Sequence, residues 1–158
     1  MPLFIVISVF VLDRITKFFV SRDLSVNSSV PVIKNVFHLT LVHNRGAAFG
    51  ILKNQIPLFI FTAIAAIIMI YFHLRKNNKF LECSLYAVSL SLILGGAIGN
   101  LIDRIFLGYV IDFLDFRFWP VFNIADSAIS IGGILLAYSI FRQPEKKTII
   151  SSRHHTTR

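Results

Sequence analysis

Residues 56–74 read IPLFIFTAIAAIIMIYFHL, a run without Asp, Glu, Lys or Arg. As a helix rising 1.5 Å per residue it is long enough to cross the ~30 Å hydrocarbon core of a bilayer. Pro57 falls in the first turn, where its missing N–H costs nothing, and Arg75, Lys76 and Lys79 follow directly. Three further apolar runs, at about 3–20, 81–102 and 121–141, approach the same length. With 55% hydrophobic residues and a mean hydropathy of +0.71 over 158 residues, the chain belongs with membrane proteins, and there is no room for a second domain. The predicted fold is membrane α-helical with four transmembrane helices, forming one integral membrane domain over 1–142 and a basic tail over 143–158.

The net charge of +8 would suggest nucleic acid if the basic residues lined one face of a soluble fold. They gather instead in short clusters flanking apolar runs, which argues for membrane orientation and against a nucleic-acid partner. Arg75, Lys76, Lys79, Arg142, Lys146, Lys147, Arg153 and Arg158 fall on one side of a four-span chain, which the positive-inside rule makes cytoplasmic together with both termini. Residues 21–54 and 103–120 then share the outer face. A lone cysteine, Cys83, excludes an internal disulfide and a multi-cysteine metal site. His154 and His155 in the tail are expected to be solvated.

The first run, LFIVISVFVLDRITKFFV, has no basic leader and no small-x-small cleavage site, so it reads as a retained helix. Asp13, Arg14 and Lys17 interrupt it. Three charges at mid-bilayer cost roughly 7–11 kcal/mol, against roughly 4–8 kcal/mol returned by the Leu, Ile, Phe and Val residues of the run. The segment therefore inserts only if its charges find partners. Asp13 and Lys17 at i,i+4, acid first, read as an ion pair locking this helix into the bundle.

Residues 36–43 alternate as a half-buried strand does, after loop signals at Asn27, Ser28, Ser29 and Pro31 and before the Asn44-Arg45-Gly46 turn and small Ala47-Ala48-Phe49-Gly50. A small β region lying on the outer face is expected, with Asn44 and Arg45 as turn residues or as holders of a substrate backbone. In the third run Gly95 and Gly99 are four apart, a spacing that lets helices approach closely. Asn100, Asp103 and Arg104 then share a face. The Phe116–Pro120 aromatic cluster reads as an interfacial belt.

Carboxylates carry the chemistry. Asn123, Asp126, Ser127 and Ser130 fall at i, i+3, i+4 and i+7 in the last apolar run, a polar stripe on a greasy helix. An ionisable residue at membrane depth faces a bundle interior or a wet cavity. There is no HExxH, Walker or GxSxG motif, and no serine has a His–acid escort, which argues against a Ser-His-Asp triad. A Ser127–Lys17 dyad has nothing in the spacing to demand it. Two neighbouring carboxylates sharing one proton can activate water and protonate a leaving amide. Asp103 is expected to pair with a nearby cation, and Asp115, three residues after Asp112, to be solvated. A proton- or ion-coupled transporter competes as a class, but the polar residues cluster at one face and the second run offers only Thr62 in its interior. A purely structural subunit would explain the glycines and not the converging acids.

Five blocks in order, Asp13-Arg-Ile-Thr-Lys17, Asn44-Arg-Gly-Ala-Ala-Phe49, Gly95-Gly-Ala-Ile-Gly-Asn-Leu-Ile-Asp-Arg104, Val110-Ile-Asp-Phe113 and Phe122-Asn-Ile-Ala-Asp-Ser127, resemble the motif set of the bacterial lipoprotein signal peptidases (type II signal peptidases) over nearly the whole chain. The resemblance implies an aspartyl endopeptidase of the bacterial inner membrane, acting as a monomer among membrane lipids. It would cut diacylglyceryl-modified prolipoproteins on the N-terminal side of the lipidated cysteine, with no cofactor or metal. It implies Asp112 and Asp126 as the catalytic pair and Asp13, Lys17, Asn44, Gly46, Asn100, Asp103, Arg104 and Asn123 as supporting residues. Arg14 stands where the family more often has an uncharged polar residue, and the 14-residue step from Asp112 to Asp126 is short for it.

Overall fold

A computed structural model of the chain describes residues 2–46, 54–76 and 84–142. Ala47–Gly50, Lys79, Cys83 and the tail with His154 and His155 lie outside the described residues. Four helices and three strands follow in the order α1 (Pro2–Asp23), β1 (Ser29–Ile33), β2 (Phe37–Asn44), α2 (Ile56–Lys76), α3 (Leu85–Phe106), β3 (Val110–Asp115) and α4 (Ile124–Phe141). Helices α2, α3 and α4 are long and apolar enough to cross a membrane. α1 is as long, at 22 residues, but carries Asp13, Arg14 and Lys17.

α3 is the central helix and packs against α1, α2 and α4. Its small residues permit this. A Cβ on Gly99 would sit 2.7 Å from an Asp13 carboxylate oxygen, and one on Gly96 would collide with the Ala125 carbonyl of α4. Val6, Ile70, Leu74, Leu90 and Leu94 form a core cluster joining α1, α2 and α3. The outward faces are apolar too, as Phe4 (73% exposed), Phe61 (71%) and Ile134 (70%) show. Such surfaces suit lipid, not water.

The helix boundaries shift from those expected, each for a local reason. α3 runs beyond 102 to Phe106 because Asp103 and Arg14–Lys17 neutralise one another across the α1–α3 contact. It stops where Gly108 adopts φ +73°, open to a residue without a side chain. α4 begins at Ile124, not 121, because Asn123 caps it: the Asn123 side chain accepts the Asp126 N–H and the Asp126 side chain accepts the Asn123 N–H. Asp126 is therefore in the first turn of α4, where a helix starting at 121 would have put it deeper.

The β region is a three-stranded antiparallel sheet in the order β1-β2-β3. Residues 29–33, expected as loop, pair with β2 as an edge strand that tolerates Pro31. Residues 110–115, expected as a bare connection between helices, are the third strand. The register pairs Val42 with Asp112 and Asn44 with Val110. Beyond β3 the chain doubles back, with Phe113 and Leu114 N–H groups donating to the Phe122 carbonyl. That return delivers Asn123 beside Asp112. The sheet packs on α1 and α3.

Candidate active site

Asp112 is buried, 1% exposed, on a strand and close to the first turn of α4. Its Oδ1 accepts from Asn123 Nδ2 at 2.7 Å and its Oδ2 from Asn44 Nδ2 at 2.9 Å. Asp126 Oδ1 accepts from Asn100 Nδ2 at 2.7 Å, and its Oδ2 from the Asn123 backbone N–H at 3.3 Å. Asn123 thus touches both carboxylates through different atoms. The amides are not free to flip. Gly46 N–H donates to Asn44 Oδ1 at 2.9 Å, which turns the Asn44 NH₂ toward Asp112. Asn100 Oδ1 accepts from Lys17 Nζ at 3.1 Å and Asn123 Nδ2 at 3.1 Å, which leaves its NH₂ for Asp126.

Behind these amides lies a buried charge cluster. Lys17 (2% exposed) bridges Asp13 at 2.9 Å and Asp103 at 2.7 Å, and Arg14 bridges the same acids at 2.9 and 2.8 Å. Two cations face two anions, so the cluster is neutral, as burial at such depth demands. Asp13 also accepts the Ala125 N–H of α4 at 3.1 Å, and Asp103 the Ile111 N–H of β3 at 3.2 Å. Asp13 ties α1 to α4, Asp103 ties α3 to β3, and Lys17 passes that order to Asn100. The expected Asp13–Lys17 pair is present, and the cation expected for Asp103 is two cations.

Asp112 and Asp126 line one cavity of about 740 Å³. Asn44, Gly46, Arg104 and Ser130 share its wall, and Phe59, Phe116, Trp119 and Ile129 make it largely apolar. Arg104 does not hydrogen-bond either carboxylate; its Nη1 donates to the Asn100 carbonyl at 3.3 Å and its guanidinium lies over the Phe59 ring. Asp13, Lys17 and Asp103 do not line the cavity. Ser127 does, but its hydroxyl donates to the Asn123 carbonyl at 2.9 Å while Lys17 is spent on Asp13, Asp103 and Asn100, so the two do not form a dyad. Burial, then the neighbouring Asp126 charge, pushes the Asp112 carboxyl up to about 7, against the opposing donors Asn44 and Asn123.

Asp115 corrects an expectation. It is 4% exposed, not solvated, and accepts from Thr40 Oγ1 at 2.7 Å and from the Arg117 backbone and guanidinium at 2.8 and 2.9 Å. Burial raises its carboxyl, but these donors outweigh burial and hold it below the ordinary range. It fastens β3 to β2 outside the cavity. Phe59 was not anticipated at the site either, since in sequence it is one apolar residue of a membrane run.

An apolar helical bundle whose cavity holds two hydrogen-bonded carboxylates is what a membrane hydrolase of the aspartic class requires. Comparison with known proteins agrees. The family model for "Signal peptidase (SPase) II" matches residues 5–142. The lipoprotein signal peptidase of Caldanaerobacter subterraneus subsp. tengcongensis is 52% identical over 140 residues, covering 87% of this chain and 94% of that protein. That of Halothermothrix orenii is 47% identical over 141 residues, covering 88% and 94%. A solved bacterial membrane enzyme, determined in meso at 2.3 Å resolution, superposes with a TM-score of 0.80 at 29% identity, over 99% of this chain and 94% of that one. The chain belongs to the signal peptidase II family, the lipoprotein signal peptidases, which are aspartic endopeptidases that cleave lipoprotein signal peptides.

Proposed function

We propose that Asp112 and Asp126 are the catalytic pair and that the chain cuts diacylglyceryl-modified prolipoproteins on the N-terminal side of the lipidated cysteine. The observation that carries this reading is Asn123, whose side chain donates to Asp112 while its backbone N–H donates to Asp126. One residue fixes the separation of two acids, which is what a shared-proton pair needs.

In this mechanism Asp126, ionised, takes a proton from a water held between the acids as the water oxygen attacks the scissile carbonyl carbon. Asp112, protonated, hydrogen-bonds the carbonyl oxygen and gives up its proton as the tetrahedral adduct forms. The proton on Asp126 then passes to the leaving amide nitrogen as the C–N bond breaks, and a hydroxyl of the adduct returns its proton to Asp112 as the new carboxyl group forms, which restores the shared proton. Arg104 faces the carbonyl oxygen, where negative charge builds. Asn44, Gly46 and Asn100 hold the acids and the substrate backbone. Asp13, Lys17 and Asp103 act as scaffold.

The substrate is tethered by its acyl chains, so its scissile bond lies at a fixed depth. We place α1 as a fourth span beside α2, α3 and α4, both termini in the cytoplasm, and the sheet and cavity at the outer face of the bacterial inner membrane. The single catalytic domain spans 1–142, the tail is cytoplasmic, and the monomer is the working unit. In support, α1 buries Asp13 and Lys17 against its neighbours and turns Leu3, Phe4 and Phe18 outward. The test is incubation of the purified protein with a diacylglyceryl-modified precursor and no ion gradient, the product mapped by mass spectrometry. A cut immediately before the modified cysteine is expected. A folded sample that yields no product, or one cut elsewhere, defeats the reading. The transporter alternative loses further ground because Thr62 of α2 donates to the Leu58 carbonyl of its own helix.

A further inference from the structure

α2 is anchored at one end only. Its buried residues are Ile70 and Leu74, in its second half. Near its start Leu58 is 43% and Phe61 71% exposed, and the helix packs on α3 and not on α4. Phe59 lies between Leu58 and Phe61 and is half-buried, as are Ile56 and Ile60. Its ring lies 5.1 Å from the Arg104 guanidinium carbon, and both residues line the cavity that holds Asp112 and Asp126.

Arg104 is half-buried, and among the described residues no carboxylate comes within ion-pair distance of it. Its hydrogen bond to Asn100 is long and within its own helix. A long side chain held so loosely would sample many rotamers. A carboxylate partner would fix it but would consume the N–H groups that a substrate carbonyl needs. An aromatic face fixes a planar cation through its π cloud and leaves those in-plane donors free.

We propose that Phe59 is a positioning residue: its ring holds the Arg104 guanidinium over the cavity, with the N–H groups aimed at the scissile carbonyl. This rests on the reading of Arg104 as facing that carbonyl beside the Asp112–Asp126 pair. α2 thereby takes part in the reaction through one side chain although it supplies no polar group to it.

The test is a double-mutant cycle in a detergent-solubilised assay with diacylglyceryl-modified precursor, using Phe59→Leu and Phe59→Tyr with Arg104 or Arg104→Gln. Phe59→Leu should lower kcat roughly three- to tenfold, the range of a partly desolvated cation–π contact, with KM and melting temperature little changed. Phe59→Tyr should retain at least half the wild-type kcat. With Arg104→Gln, Phe59→Leu should cause no further loss. An equal loss in both backgrounds overturns the proposal, as does Phe59→Tyr failing like Phe59→Leu, or Arg104→Gln cleaving at the wild-type rate. Where Arg104→Gln is too slow to measure, stepwise fluorination of the Phe59 ring keeps its shape and drains its π density. A kcat that falls with each fluorine supports the proposal and a flat series overturns it. Asp112→Asn, assayed alongside, tests the catalytic pair by itself: activity there defeats the underlying reading whatever the cycle gives.

Discussion

Asn123 holds two acids with three of its atoms, and the chemistry of the site depends on that economy. Its Nδ2 donates to Asp112, its Oδ1 accepts the Asp126 N–H, and its own N–H returns to the Asp126 carboxylate. Asp112→Asn and Asp126→Asn should each lower cleavage by about 10²–10⁴-fold, the usual worth of acid–base catalysis, with normal accumulation in the membrane. Near-wild-type turnover in either variant removes it from the pair. The pH dependence has a definite sign. With the Asp112 carboxyl pushed up to about 7, the folded protein keeps a proton there that an unfolded chain releases near pH 4. The stability linked to that proton is whole at acid pH and is lost as pH rises through 7. In the proposed mechanism the same carboxyl supplies the catalytic proton, which leaves as pH passes 7. Cleavage rate should therefore fall on the alkaline side with a midpoint near 7, and a rate still rising between pH 7 and 9 contradicts it. Asp126 stands out in the sequence because a carboxylate in an apolar run demands an explanation, whereas Asp112 is singled out by the motif resemblance; the structure brings both to one cavity. The role of Asn123 was misread as part of a helix stripe. Asn-x-x-Asp is also a capping box, and the cap won because the Phe122 return had already ended helical geometry.

Helix existence was readable from apolar length, whereas the sheet was only one-third readable. β2 alternates visibly, but β1 contains Pro31 and β3 carries two acids, so neither resembles a strand until edge position and partners are known. Asp115 shows the cost of that gap. It looks like a surface acid and is a cross-strand tie to Thr40. Asp115→Asn replaces one acceptor oxygen with a donor facing Thr40 and Arg117, and should destabilise the fold by about 1–3 kcal/mol. Turnover per folded molecule should stay within about twofold, because the residue lies outside the cavity. Thermal melting read beside specific activity separates the two; a hundredfold fall in specific activity with an unchanged melt would make Asp115 catalytic after all. Lys17 acts between helices. Lys17→Met leaves Asp13 and Asp103 with Arg14 alone and unlocks the Asn100 amide. Breaking a buried pair this way costs about 3–5 kcal/mol. Unlike Asp115→Asn, it should also slow the molecules that remain folded, since Asn100 then orients Asp126 poorly.

At the scale of the molecule, one end of the bundle holds nearly all its polar chemistry, and this decides how the chain sits in a membrane. The middle of α1, through Asp13, meets the N-terminal end of α4 at the Asn123 cap, and the C-terminal end of α3 meets the sheet through Asp103. Elsewhere in the helices, buried hydroxyls such as Ser89 and Ser91 donate to carbonyls of their own helix and ask nothing of a neighbour. α1 bears three charges in its run and still suits lipid, because those charges cancel against Asp103 while Phe4, Ile7 and Phe18 face outward. Its insertion cost is thus offset by pairing, which a count of charges along the sequence overestimates. The four-span reading proposed above would place β1 and the far end of α2 on opposite faces of the membrane, with the basic end of α2 inside. Val30 and Lys76 are both exposed, so cysteines at either site are open to reagent. In a Cys83→Ser background, Val30→Cys should react with a membrane-impermeant maleimide in cells whose outer membrane, if any, has been permeabilised. Lys76→Cys should react only after the cytoplasmic membrane is opened. Labelling of Lys76→Cys from outside would invert the topology. It would also move the cavity to the leaflet where a secreted, lipid-tethered precursor does not present its cleavage site. Labelling of both from outside would mean that α2 does not cross the membrane, which defeats the four-span reading.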